Sequence, residues 1–215
     1  NLSILCISQN PVKKLPKLPK TLESLFACYC QIEDVSEIFN NSVRISKICL
    51  SGNKIKKFPT KNDFTFSHLQ ILSLSQCDID QFPSEFFVND ETTCKVTTLD
   101  ISFNAIKFIP VNFSAPYLVD FDLSHNQLES LPDIGRFPNL ITLKLTNNPI
   151  SCNMSFIKNA VLDSVDVTNI GASQINVPPK IREVLTTVNS LQSPYRFMQP
   201  IESGYAQCIG TITVN

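Results

Sequence analysis

The chain has 215 residues, a net charge of −1 and a pI near 6.1, with 43% of its residues apolar. That balance gives no electrostatic pull toward nucleic acid or an anionic membrane surface, and no run of 18 apolar residues is present to span a bilayer. With 14 Pro and only 5 Gly, proline rather than glycine punctuates the chain.

Taken in chain order, one short apolar pattern recurs in eight units, starting at Leu2, Leu22, Ile45, Leu69, Val96, Leu118, Leu140 and Leu162. Three template positions are apolar in every unit, from Leu2/Leu5/Ile7 to Leu118/Phe121/Leu123, Leu140/Leu143/Leu145 and Leu162/Val165/Val167. In a chain this apolar, such agreement arises by chance about once in a billion trials. Alternation of apolar and other residues predicts a strand of about three to five residues in each unit. An Asn then follows at fixed spacing, at Asn10, Asn53, Asn104, Asn126 and Asn148, with Cys30 and Cys77 in the same place in units two and four. A polar side chain there can bond the backbone groups that the bend leaves unpaired. The return segments open on an apolar residue plus proline, as at Leu15-Pro16, Phe82-Pro83, Ile109-Pro110 and Leu131-Pro132, where a missing N–H costs no sheet bond. The fourth unit is the longest, and its insertion around SEFFVNDETTCK is expected to bulge from the side away from the strands. In the eighth unit Ile170 takes the place of Asn, so the ladder ends there, and Asn176 to Thr187 has spacing suited to a short helix.

The spacing LVDFDLSHNQL, repeated 22 residues later as LITLKLTNNPI, resembles the leucine-rich-repeat family. The resemblance implies an α/β solenoid, a curved right-handed array with a parallel sheet on its concave face and an irregular or short-helical convex side. Residues 1–188 form the repeats, with an atypical last repeat or cap from 151, and 189–215 form a linker and the start of a further domain. The proline-led form LPDIGRFPNL is similar to intracellular repeat proteins that bind small GTPases and other signalling partners, which implies a protein partner.

The cysteines bear on compartment. Cys30 and Cys77 are expected as buried thiols, Cys6, Cys28 and Cys49 lie on the outward side of their strands, and Cys152 has no second cysteine beside it to form a closing cap. That arrangement favours free thiols in a reducing, cytoplasmic setting. Sequons at Asn1, Asn40, Asn112 and Asn153 are no more than 19 Asn residues give by chance, so they decide nothing. A receptor-type ectodomain binding an extracellular ligand stands as the alternative.

On the concave face, the residues flanking the inward positions differ between the two halves. The first half carries Ile4, Cys6, Phe26, Tyr29, Cys49 and Ile71, and the second carries Asp100, Phe103, Asp120, Asp122, His125 and Lys144. Strands about 4.8 Å apart are expected to bring Asp100, Asp120 and Asp122 together as an acidic strip beside Phe103 and His125. Phe26, Tyr29, Asp100, Phe103, Asp120, Asp122, His125 and Lys144 are therefore the candidate contacts to a protein partner, apolar anchors with an acidic rim that suits a basic segment. No catalytic set, phosphate loop or metal motif occurs in the repeats, and no metal or cofactor is expected on them.

The tail departs from the repeat pattern. Gly204-Tyr205-Ala206 and Gly210 match in spacing the opening motif of the metal-dependent type 2C Ser/Thr protein phosphatases, so the region resembles the repeats that precede such a domain. The resemblance implies a parent phosphatase using Mg²⁺ or Mn²⁺, with these repeats as its substrate-recognition or regulatory part. Ile212 stands where that family has a phosphate-binding Arg, and no metal-ligating acid follows before Asn215, so residues 1–215 alone are expected to be inert.

Overall fold

A computed structural model describes residues 1–41, 44–56, 66–87, 95–131, 133–151, 154–155, 161–171, 174–177, 183–185 and 211–214. Twelve short strands run through these segments. They are β1 (Ile4–Cys6), β2 (Ser24–Phe26), β3 (Lys47–Cys49), β4 (Ile71–Ser73), β5 (Thr98–Asp100), β6 (Asp120–Asp122), β7 (Thr142–Lys144), β8 (Met154–Ser155), β9 (Ser164–Asp166), β10 (Gln174–Val177), β11 (Glu183–Leu185) and β12 (Thr211–Val214). Nine of them form one parallel sheet in the order β1-β2-β3-β4-β5-β6-β7-β9-β11. Each of the eight repeat units places its strand in this sheet, in chain order, which is the leucine-rich-repeat solenoid.

Period-two alternation sets which side chains enter the core. Leu25, Ile48, Leu72, Leu99, Phe121, Leu143 and Val165 stand in one register row, and Ala27, Leu50, Leu74, Ile101, Leu123, Leu145 and Val167 form the next inward row; all fourteen are buried. A strand of three residues cannot bury itself, so each draws its burial from the strands on either side. At the open edge, where β1 has no preceding neighbour, Leu5 is only half-buried.

Among the described residues, the return segments hold one short helix, α1 (Ser36–Asn41), and single 3-10 turns at Ser84–Phe86 and Ile134–Arg136. The last of these is capped by the Asp133 carboxylate, which accepts from the Gly135 N–H at 3.0 Å. Phenylalanines fill the space behind the sheet. Phe39 meets Phe66 and Phe86 at centroid distances of 5.0 and 4.9 Å, and Phe121 meets Phe137 edge-on at 5.8 Å. The insertion of the fourth unit thus begins with Phe86 packed into the core, while 88–94 lie outside the described residues.

Two expectations are corrected. The segment Asn176 to Thr187 is not helical where described: β10 ends at Val177, and Glu183–Leu185 extends the main sheet as β11, in register with Ser164–Asp166. The apolar spacing fitted a helix, but the open edge of β9 offers a row of unpaired N–H and C=O groups, and a ninth strand satisfies them. β10 also lies between β8 and β12 in a second, three-stranded parallel sheet on the return side of the last turns, with Ile175 opposite Met154 and Ile212. The second correction concerns cysteine: Cys28 and Cys49 are joined by a disulfide, whereas Cys6, Cys30 and Cys77 are free. Both cysteines lie on the outward side of neighbouring turns, with their Cα atoms 6.0 Å apart. Gly204-Tyr205-Ala206, Gly210 and Cys152 lie outside the described residues.

Candidate functional site

The strands β1 to β7 and β9 leave the sheet through the same corner. The last inward residue is followed by a small polar residue, then by one residue with left-handed backbone, then by the ladder residue. The left-handed positions are Gln9, Tyr29, Gly52, Gln76, Phe103, His125, Asn147 and Asn169, with φ between +51° and +73°. Next come Asn10, Cys30, Asn53, Cys77, Asn104, Asn126, Asn148 and Ile170.

The ladder residues hold the corner. The Asn126 side-chain amide donates to the carbonyls of Ile101 and Leu123, at 2.9 and 3.1 Å, and its Oδ1 accepts from the Ile106 N–H at 3.1 Å. Asn53, Asn104 and Asn148 repeat this bridge between successive turns. Asn10, in the first turn, bonds only its own turn, at the carbonyls of Ile7 and Ser8. Cys30 and Cys77 are buried, and their thiols donate to Ile7 O and Leu50 O, each at 3.2 Å. Burial pushes the Cys77 thiol up to about 12, so it stays protonated and remains a donor.

Outward from the ladder, the left-handed residues form a continuous file along one margin of the concave face. The Tyr29 ring lies across Gly52, where an added Cβ would come within 2.3 Å of it, and the Tyr29 hydroxyl reaches Gln76 Oε1 at 3.5 Å. Phe103 and His125 stack with centroids 3.9 Å apart and planes 10° from parallel. Asn147 Nδ2 sits 3.1 Å from His125 Nε2, and Asn169 in turn donates to Asn147. Tyr29 is 57% exposed and Phe103 is 47% exposed, so the rings face solvent although their backbones are fixed.

The acidic residues divide differently from the expectation. Asp100, Asp122, Lys144 and Asp166 occupy one register row, and Asp120 stands in another, between Thr98 and Thr142. Asp100 Oδ1 accepts from the Ser102 N–H and hydroxyl, and its Oδ2 accepts from Ser73 Oγ. Asp122 Oδ1 accepts from the Ser124 N–H and hydroxyl, while Oδ2 is 3.1 Å from Lys144 Nζ. Asp166 likewise accepts from the Thr168 N–H. These carboxylates close Asx turns that start the corner. The hydrogen bond from Lys144 to Asp122, then the Asp122 charge and the smaller pull of Asp100 and Asp166, hold the ammonium above its ordinary range against partial burial. Asp120 is exposed and carries the free charge of the trio.

Of the sequence candidates, the structure brings Phe103 and His125 into contact, pairs Lys144 with Asp122, and puts Phe26 between Cys6 and Cys49 in their row, half-buried. It separates Asp120 from the row of Asp100 and Asp122. Gln9, Gly52, Gln76, Asn147 and Asn169 complete the file and were not singled out, because a left-handed residue leaves no mark in hydropathy. The Asx turns had a readable signal: Asp100-Ile101-Ser102, Asp122-Leu123-Ser124 and Asp166-Val167-Thr168 share one spacing. Among the described residues, no group of three or more His, Cys, Asp or Glu is placed to hold a metal ion, and no helix is long and apolar enough to cross a membrane.

Comparison with known proteins agrees with this geometry. The leucine-rich-repeat family model matches residues 68–89. The structure of YopM from Yersinia enterocolitica superposes over 100% of this chain and 42% of its own, with a TM-score of 0.72 at 17% identity. A leucine-rich-repeat protein of Leptospira interrogans matches with a TM-score of 0.66 at 21% identity, over 84% of this chain and 50% of its own. InlP of Listeria monocytogenes gives 0.60 at 22%, over 76% of this chain and 50% of its own. The chain therefore has the leucine-rich-repeat fold, and it spans half or less of the length of these structures. No curated protein matches it by sequence.

Proposed function

We propose that the chain is a protein-recognition array whose partner lies along the concave face and is anchored on the ring side chains of the left-handed file. One observation carries this reading. Glycine or asparagine suits a left-handed corner best, and a bulky residue there costs about 1 to 3 kcal/mol. Tyr29, Phe103 and His125 occupy three of these corners, and the two aromatic rings are about half exposed. Exposed rings on a solenoid face are typical binding anchors. Asp120 on the open face suits a basic residue of the partner.

The finer reading makes this array the substrate-recognition or regulatory part of an intracellular, metal-dependent Ser/Thr phosphatase. It rests on the spacing of Gly204-Tyr205-Ala206 and Gly210, and it places Mg²⁺ or Mn²⁺ in the parent rather than in the repeats. The Cys28–Cys49 disulfide favours the receptor-type ectodomain instead. Cell fractionation of the tagged parent, together with phosphatase assay in Mn²⁺, separates the two.

The recognition surface is tested with Tyr29→Ala and Phe103→Ala. Both variants should melt within a few degrees of the wild type, and each should weaken a wild-type partner about tenfold or more. Unchanged affinity in both variants would reject the file as an anchor. The phosphatase link fails if the coding sequence past Asn215 lacks an acidic metal-binding motif.

A further inference from the structure

We infer that Cys28 and Cys49 form a reversible dithiol–disulfide clasp that stiffens the Tyr29 corner of the concave face. The inference goes beyond partner recognition, and its test needs no partner.

The bond joins two strands already held together without it. Ala27 N–H donates to Cys49 O at 2.9 Å, Tyr29 N–H donates to Ser51 O at 2.7 Å, and Leu25, Ala27, Ile48 and Leu50 beneath are fully buried. Opening the bond therefore leaves the ladder and the core in place, which separates this link from a disulfide that holds a fold. Both cysteines are half-buried on the outward side of the sheet, so a small thiol can reach the sulfurs. Position makes the link consequential. Cys28 directly precedes Tyr29, and Cys49 is three residues before Gly52, over which the Tyr29 ring lies. The other described cysteines do not compete equally: Cys30 and Cys77 are buried in the ladder, and only Cys6 is exposed.

The chemistry balances with a low-molecular-weight disulfide such as glutathione disulfide as oxidant. The Cys28 thiolate attacks one glutathione sulfur and releases the first glutathione thiolate. The Cys49 thiolate then attacks Cys28 Sγ and releases the second. Two cysteine protons pass to the two glutathione thiols, the cysteine pair is oxidised and the glutathione disulfide is reduced. The reverse sequence opens the clasp.

The experiment equilibrates folded residues 1–215 in glutathione buffers from reducing to oxidising, alkylates free thiols and maps the peptides by mass spectrometry. The oxidised fraction of the Cys28–Cys49 pair should rise from nearly none to nearly all and return when the buffer is reversed, with an unchanged circular dichroism spectrum. Amide exchange at Tyr29 and Gly52 should be slower in the oxidised form. Cys49→Ser should hold the fast exchange in every buffer, with Cys28→Ala as a second variant, and Cys6→Ser should leave the response intact. A pair that resists reduction until the protein is denatured, that never forms, or that is replaced by a Cys6–Cys28 bond overturns the inference. So does exchange at Tyr29 that is the same in both forms.

Discussion

In the turns closed by Asn104, Asn126 and Asn148, one side chain works in both directions across the gap between repeats. It donates to a carbonyl of the preceding turn and accepts the N–H that follows that turn's own ladder residue. In the turns closed by Cys30 and Cys77 the thiol reproduces only the donor half, toward Ile7 O and Leu50 O. The N–H groups left without an amide oxygen turn elsewhere: Ile55 N–H bonds the Cys77 backbone carbonyl, and Val12 N–H bonds Asn10 O within its own turn. Two turns of the first half thus run on a weaker version of the same corner, on either side of the full bridge that Asn53 makes, and the Cys28–Cys49 link lies in that half. The corner tolerates loss of its acceptor where backbone can supply one, but the donor is kept in every turn from the first to the seventh.

The largest expected effect breaks that donor. Asn126→Ala strands the buried N–H of Ile106 and takes one of two side-chain donors from the carbonyls of Ile101 and Leu123, which keep Asn104 and Asn148, and should destabilise by about 1 to 3 kcal/mol. Asn126→Cys restores the donor alone, as Cys77 does, and should recover a measurable part of the loss. If chemical denaturation finds the two variants equally damaged, the thiol is not a half-replacement for Asn, and the comparison between the halves fails.

Much of this was readable before any coordinates. The eight strand positions, the inward rows and the Asn and Cys ladder follow from apolar spacing and one fixed turn residue, because a parallel array repeats its chemistry at every turn. Three features were not. Glu183–Leu185 joins the sheet because an open edge is there to meet it, a tertiary fact that outweighs local helical spacing. The Cys28–Cys49 link joins Cys28, two places past the Phe26 register row, to Cys49 within it, a diagonal that alternation alone does not specify. The acidic strip was read from charge alone, yet Asp100 and Asp122 spend their oxygens on Ser102 and Ser124, so most of the charge serves the turns and Asp120 is what remains for a partner.

A second prediction sharpens the contrast at the left-handed file. Gly52 lies in the first half, and there the neighbouring ring uses the space that a side chain would take. Gly52→Ala keeps a residue at φ +73° and drives its Cβ into the Tyr29 ring, so it should cost about 1 to 2 kcal/mol and displace the ring. In Tyr29→Ala the steric part disappears, so the double variant should be more stable than the sum of the two single changes. Additive denaturation energies would mean that the ring does not rest on Gly52.

The smallest expected effect belongs to the second half, where the row of Asp100, Asp122 and Asp166 surrounds Lys144. The hydrogen bond to Asp122, and then the nearby carboxylates, hold the lysine above its ordinary value of 10.5. A group whose folded pKa lies above its unfolded value adds stability that is complete below the unfolded pKa and is lost as pH rises through the folded one. The contribution should therefore be flat through neutral and mildly alkaline pH and fade above about 10.5. Because the lysine side chain is 52% exposed, solvent screening limits the pair to about 0.2 to 1 kcal/mol. Lys144→Met should lower the melting temperature slightly at neutral pH and converge with the wild type at high pH. It should leave the Asx turn of Asp122 intact, since Oδ1 and not the lysine-facing Oδ2 holds Ser124. A pH-independent difference would assign the effect of Lys144 to packing of its aliphatic stem rather than to its charge.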